Sequence, residues 1–242
     1  MAVVHHLNCG TMCPRGARML AGKGGLLEET KLVAHCLLIE SGGTLVRPRC
    51  DVAETAIRQV EAMGMDPADV RDVVVTHLDL DHAGGLGDFP AAKVHVHAPE
   101  LKEALDPPLR SRSRYRAAQW AHGPDWMEHA VEGDSWFGFE SVRLLPDLDV
   151  EVAMVPLLGH SAGHTGVAVK EDGRWLLHCG DAYFHRGEVQ TPPRCPPGLT
   201  LFQKLTQREG KAREHNQERL RALASEHGVE VRLICSHDPE LL

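Results

Sequence analysis

Two imidazoles and two carboxylates fall close together in the run Thr76-His77-Leu78-Asp79-Leu80-Asp81-His82-Ala83-Gly84-Gly85. These are the donor types that hold zinc, iron or manganese. The glycines beyond them let the backbone turn tightly. Three more stretches carry similar donors: Gly159-His160-Ser161-Ala162-Gly163-His164, His178-Cys179-Gly180-Asp181 and Cys235-Ser236-His237. A carboxylate shared by two ions a few ångströms apart suits a two-metal centre. Such a centre generates a nucleophile from water near neutral pH and polarises a carbonyl or phosphoryl oxygen. Any one of these turns alone reads more simply as a structural histidine or an Asx-turn. The four together, in this order, point to a metal cluster.

Each of the four turns directly follows an apolar run, and this is how they could be brought together. Ligands in α/β sheets gather outside the carboxyl ends of strands. After Asp72, Val73-Val74-Val75-Thr76 is β-branched throughout, as in a strand covered on both faces. His35 to Glu40 reads as a buried strand, Ser41-Gly42-Gly43 as a hairpin turn, and Thr44-Leu45-Val46 as the returning strand. Residues 51–63 have helical spacing, with Gly64 as the stop. Lys93 to His97 is a short strand, and a helix begins over Pro99 to Leu105. From 142 onward strands are expected at Val142–Leu145, Val150–Leu158, Thr165–Val169, Arg174–Cys179 and Val231–Cys235. Residues 198–227 look helical, with an interruption near Gly210. The alternation predicts one α/β domain spanning 1–242.

The stretch 106–140 breaks this pattern and concentrates the aromatics Tyr115, Trp120, Trp126, Trp136, Phe137 and Phe139. That suits a lid or pocket wall, or a helical pair capping the core. Arg110, Arg112, Arg114 and Arg116 read as a solvated helix face rather than an anion clamp. His95 and His97 share one face of their strand and read as structural, and His5 and His6 as N-terminal.

The 26 Lys and Arg against 34 Asp and Glu give a formal charge of -8. Neither nucleic acid nor an anionic membrane is the expected partner of such a chain, since both need a basic face. A small-molecule substrate is. No stretch approaches the roughly 20 apolar residues of a membrane span. Met1 to His6 lacks the features of a signal peptide. The seven cysteines are scattered, and Cys36, Cys179 and Cys235 lie in or at the ends of apolar runs. Their placement predicts reduced thiols and a cytoplasmic protein.

With its ligand turns in this order, the chain resembles the metallo-β-lactamase fold superfamily, whose usual first motif is HxHxDH. THLDLDHAGG and the overall length are similar in particular to the acyl-homoserine lactonase-like branch. The resemblance runs from Leu37 to His237 and implies a four-layer αβ/βα sandwich. It also implies roles: His77, Asp79 and His160 on a first metal, Asp81, His82 and His237 on a second, and Asp181 bridging them. His164 is then structural or supports the ligands. Two divalent ions are implied, zinc first, with iron or manganese as alternatives.

Two departures stand out. Position 79 is Asp where the family usually has His, which hardens the first site and resembles the superfamily's di-iron oxidoreductases, with their HxExDH motif. Arg47-Pro48-Arg49-Cys50 stands where an Asp-Thr-Gly turn is usual. The activity implied is opening of an ester or lactone carbonyl by a metal-bridged hydroxide, with Asp81 passing the proton to the leaving alkoxide. Tyr183 is a candidate hydrogen-bond donor to substrate, although the lactonases' tyrosine lies one position later, at Phe184 here. The same site could open thioesters or β-lactams. Asp79 also keeps an iron-dependent oxidoreductase in view.

Overall fold

Side chains alternate between the two faces of a strand, and the valine run after Asp72 fills both. Val73 and Val75 join a core with Val94, Val96, Ala56, Val60, Leu101 and Ala104. Val74 points the other way and packs with Val152, Met154, Val167 and Val169. The computed structural model describes residues 4–39, 42–43, 52–130, 132–146, 148 and 150–241. Its strands, in chain order, are β1 (Val4–Met12), β2 (Leu32–Ile39), β3 (Gly42–Gly43), β4 (Asp72–Val74), β5 (Lys93–His97), β6 (Asp125–His129), β7 (Asp134–Trp136), β8 (Phe139–Leu144), β9 (Val152–Pro156), β10 (Thr165–Glu171), β11 (Arg174–His178) and β12 (Val231–Ile234). The helices are α1 (Ala17–Leu20), α2 (Ala56–Ala62), α3 (Ala98–Leu105), α4 (Pro197–Thr206) and α5 (Gly210–Glu226).

The strands form three ladders, ordered β1-β2-β3, β4-β5-β6 and β12-β11-β10-β9-β8-β7. Helices α2 and α3 cover the outer face of β4 and β5 through the first core. Leu220 and Leu223 of α5 cover the far face of the six-stranded sheet, against Ala153, Val155, Ala168 and Leu177. The Val74 cluster lies between the sheets. The order helix, sheet, sheet, helix is the αβ/βα sandwich expected. Its cause is the two-faced burial of strands such as β4 and β9, where Val152 and Met154 face one core and Ala153 and Val155 another.

Strand direction places the turns. β9 and β10 are antiparallel, β10 and β11 are antiparallel, and β11 and β12 are parallel. The carboxyl ends of β9, β11 and β12 therefore open on one edge. The Thr165 N–H donates to the Thr76 carbonyl at 2.9 Å, which brings the end of β4 to that same edge.

Some expectations change. Gly42 and Gly43 pair with Ile39 and Leu38, so they lie in the ladder and not in the turn. Thr44-Leu45-Val46 and Arg47-Pro48-Arg49-Cys50 lie outside the described residues. Among its described residues the stretch 106–140 forms no helical pair; Arg110, Ser113 and Arg114 wall a cleft, and the aromatics do not. The stretch holds turns over 109–114, one 3-10 turn (Ala117–Trp120), and strands β6 and β7. Tyr115, Trp120 and Trp126 pack on the first core, and Trp136, Phe137 and Phe139 on the second. Aromatic area this large is stabilising when buried there rather than left over an open cleft.

Candidate metal centre

His77, Asp79, Asp81 and His82 follow β4, His160 follows β9, Asp181 follows β11 and His237 follows β12. At the shared edge they form three overlapping groups: His77, Asp79 and His160; Asp81, His82 and His237; and His77, His82 and Asp181. Within each group the candidate ligand atoms lie within 4.8 Å of one another. The Asp181 carboxylate is central. Its Oδ1 is 3.2 Å from His82 Nε2, and its Oδ2 is 3.2 Å from His237 Nε2 and 3.5 Å from His160 Nε2.

Local bonding points the imidazoles inward. His237 Nδ1 donates to the Val33 carbonyl at 2.7 Å, which turns Nε2 toward Asp181 Oδ2 at 3.2 Å. His77 Nδ1 meets Thr76 Oγ1 at 2.9 Å, again leaving Nε2 facing the group. His164 is a support: Nδ1 donates to the Leu157 carbonyl at 3.0 Å, and Nε2 accepts the Asp181 N–H at 2.9 Å. Partners of this kind fix the ring orientation of metal-binding histidines and their neighbours. Gly180 precedes Asp181 with φ +53°, and a Cβ there would stand 2.6 Å from His164 Nε2, so the turn requires glycine.

The residues fit a metal. His77 Nε2, Asp79 Oδ1, His82 Nε2 and Asp181 Oδ1 are all buried with no well-aligned hydrogen bond, the last two facing each other at 3.2 Å. Four orphaned lone-pair or carboxylate atoms in one place are costly unless a cation joins them. The electrostatics agree. Burial resists ionisation of Asp181, but His237, His82 and His160 outweigh it and hold the carboxyl well below its usual range. Burial also opposes charge on His237, yet Asp181 and Asp81 raise it to about 9. His77 is driven well below its usual value by burial and by His82. Such a nest attracts positive charge, and an incoming cation displaces the proton held on imidazole.

Two further residues complete the site, and the sequence reading assigned neither of them to it. Glu100, on α3, is fully buried. Its Oε1 accepts the Leu78 N–H at 3.0 Å, and its Oε2 accepts Ser161 Oγ at 2.6 Å and the Gly163 N–H at 2.9 Å. One carboxylate thereby ties the turn after β4 to the turn after β9. Arg114 is the second. Its Nη2 stands 3.3 Å from Asp79 Oδ2, and its Nη1 donates to the His160 carbonyl at 2.8 Å. Residues 109–114 are turns, so the expected helix face of arginines does not exist. Arg112 and Arg116 are exposed, but Arg110 and Arg114 line the cleft over the centre. The alternate-residue spacing of these arginines was the available signal, because positions two apart do not share a helix face.

The structure does not bring Tyr183 into this group. Its side chain is fully buried in the core with Cys179 and Cys235. Its hydroxyl has no partner, and burial, then Cys235, push its pKa far above the usual phenol value. Phe184 faces the cleft instead and stacks on His237, with ring centroids 5.0 Å apart. Both residues lie in the turn beyond β11, and the path of that turn sends one side chain to the core and its neighbour to the cleft. His95 pairs with Asp72 and His129, and His97 Nδ1 donates to the Gly163 carbonyl. Neither lines the cleft.

Residues 32–225 match the sequence profile of the metallo-β-lactamase superfamily. A probable metallo-hydrolase of Mycobacterium tuberculosis is 41% identical over 98% of this chain and 81% of its own length. An N-acyl homoserine lactonase of Azorhizobium caulinodans is 30% identical over 77% of this chain and 65% of its own. Among solved structures, a quorum-quenching N-acyl homoserine lactone lactonase superposes with a TM-score of 0.71 at 17% identity, over 98% of this chain and 92% of that one. No helix among the described residues is long and apolar enough to cross a membrane. A histidine and aspartate cluster at the shared edge of an αβ/βα sandwich, a family profile over most of the length and a 41% identical relative agree: the chain is an enzyme of metallo-hydrolase type and belongs to the metallo-β-lactamase superfamily.

Proposed function

We propose that this chain, as a single domain, hydrolyses an ester or lactone carbonyl of a small molecule, using two divalent ions of which zinc is the first choice. The observation that carries this reading is the set of four orphaned buried atoms on His77, Asp79, His82 and Asp181. Mixed imidazole and carboxylate donors with room for water suit catalytic zinc. His77, Asp79 and His160 would hold one ion, Asp81, His82 and His237 the other, and Asp181 would touch both. Ions held there supply a nucleophile from water near neutral pH and withdraw charge from a carbonyl oxygen.

The chain's own residues set the rest. Asp81 has a side chain 30% exposed and lines the cleft, so it can carry a proton to the leaving alkoxide. Leu80, Phe184, Leu199, Phe202 and Leu205 give the cleft apolar walls, which exclude water and suit the acyl part of an ester or lactone. The similarity to lactonases supports the lactone within this class. Cys9, Cys179 and Cys235 are buried free thiols, which supports a reducing, cytoplasmic location.

Metal content by mass spectrometry on protein purified without added metal, followed by a lactone and ester panel, tests the proposal. About two equivalents of zinc and turnover of lactones are expected. Iron together with oxygen consumption would replace the hydrolase reading with the oxidoreductase one suggested by Asp79.

A further inference from the structure

Of the three carboxylates in the centre, Asp79 differs in its surroundings. Asp81 and Asp181 face imidazoles only among the described residues. Asp79 Oδ2 is 3.0 Å from His160 Nε2 and also 3.3 Å from Arg114 Nη2. The same Nη2 is 3.4 Å from His160 Nε2. Arg114 is held there from two sides, by its bond to the His160 carbonyl and by a 2.7 Å bond from Nη2 to the Thr206 carbonyl at the end of α4. Both side chains of the Arg114–Asp79 pair are only 13% exposed. A guanidinium does not lose its charge in a protein, and at this burial solvent screens it weakly.

We infer that Arg114 is a built-in counter-ion to Asp79 that makes the two metal positions unequal, so that the His77, Asp79 and His160 group binds its ion more weakly than the Asp81, His82 and His237 group. This rests on the two-ion reading above. An ion entering the first group must share the Asp79 carboxylate with a fixed positive charge and sit beside it. Among the described residues no guanidinium or ammonium pairs with Asp81, His82 or His237. Arg114 is therefore a positioning residue that sets metal occupancy. Its opposite role, orienting Asp79 so that the ion binds more tightly, predicts a change of opposite sign.

The test is stepwise zinc binding to the metal-free 242-residue chain, read by competition with a chromophoric chelator and needing no activity assay. The wild type is expected to take up two equivalents, the second at least tenfold more weakly. Arg114→Gln keeps donors but removes the charge, and should tighten the second step at least fivefold while leaving the first unchanged. Arg114→Lys keeps the charge and should preserve the gap. An unchanged or wider gap in Arg114→Gln overturns the inference while leaving the two-metal centre standing. Absence of zinc uptake in the wild type overturns both. Should Arg114→Gln not fold, the wild type still decides, since two equal steps refute the inference and unequal steps support it.

Discussion

Replacing Glu100 tests how the site is assembled, because this carboxylate joins two ligand turns without touching the cleft. Glu100→Ala would strand the buried N–H groups of Leu78 and Gly163, together with the Ser161 hydroxyl. An unsatisfied buried backbone donor costs about 1–3 kcal/mol. The one lost methylene removes about 0.8 kcal/mol more. The sum is about 5 kcal/mol, a large part of the roughly 5–15 kcal/mol that holds a typical domain together. In a chain of this size that lowers the Tm by about 10–20 °C. Glu100→Gln keeps the shape but turns an amide NH2 toward one set of donors, so a loss of about 2 kcal/mol is expected. The assays are thermal unfolding of the metal-free protein and zinc affinity by chelator competition. Affinity should fall at least tenfold in Glu100→Ala, because Leu78 lies between His77 and Asp79, and Ser161 follows His160. A Tm within about 3 °C of the wild type, or unchanged zinc affinity, would refute the clamp.

Asp181→Asn should keep the fold, lose at least one equivalent of metal and reduce hydrolysis by at least a hundredfold; retained activity at full metal content would remove Asp181 from its shared role. Tyr183→Phe should leave kcat/KM within twofold and stability within about 1 kcal/mol, since the hydroxyl makes no bond to lose. A large fall in kcat/KM would restore it to the site. The metal-free protein should lose stability as pH falls from 6.5 toward 5. Burial, then His178, lower His35 to about 2; burial, then His160, lower His164 to about 3; and burial lowers His178 to about 4. The unfolded chain takes up protons near 6.5 that these folded imidazoles refuse, each worth up to about 1.4 kcal/mol per pH unit in that window. His237, raised to about 9, is already protonated in the folded state there. The stability it adds builds as pH falls through 9 and levels off below 6.5, so it opposes the loss only at the top of the window. A Tm that holds or rises between pH 6.5 and 5 would contradict this.

Donor chemistry and the α/β class were local matters that the sequence alone determined, whereas the layer order was implied by the family resemblance. The spacing of His77, Asp79, Asp81 and His82, and the placing of His160, Asp181 and His237 directly after apolar runs, identified candidate ligands because a strand end leaves its next side chains at the sheet's edge. The valines after Asp72 announced a strand with two buried faces because side chains alternate. What only the tertiary structure decided depended on long-range contact or on a choice between neighbours. Tyr183 and Phe184 are adjacent, and the direction of the chain leaving β11 sent the first into the core and the second to the cleft. Glu100 carries no motif, and its role exists only because α3 brings it against turns 22 and 61 residues away. Arg114 reaches Asp79 because the turns at 109–114 run beside the first ligand turn, where the Leu80 N–H donates to the Arg114 carbonyl at 3.1 Å. Periodicity reports which face a residue occupies, but not which distant backbone that face will meet.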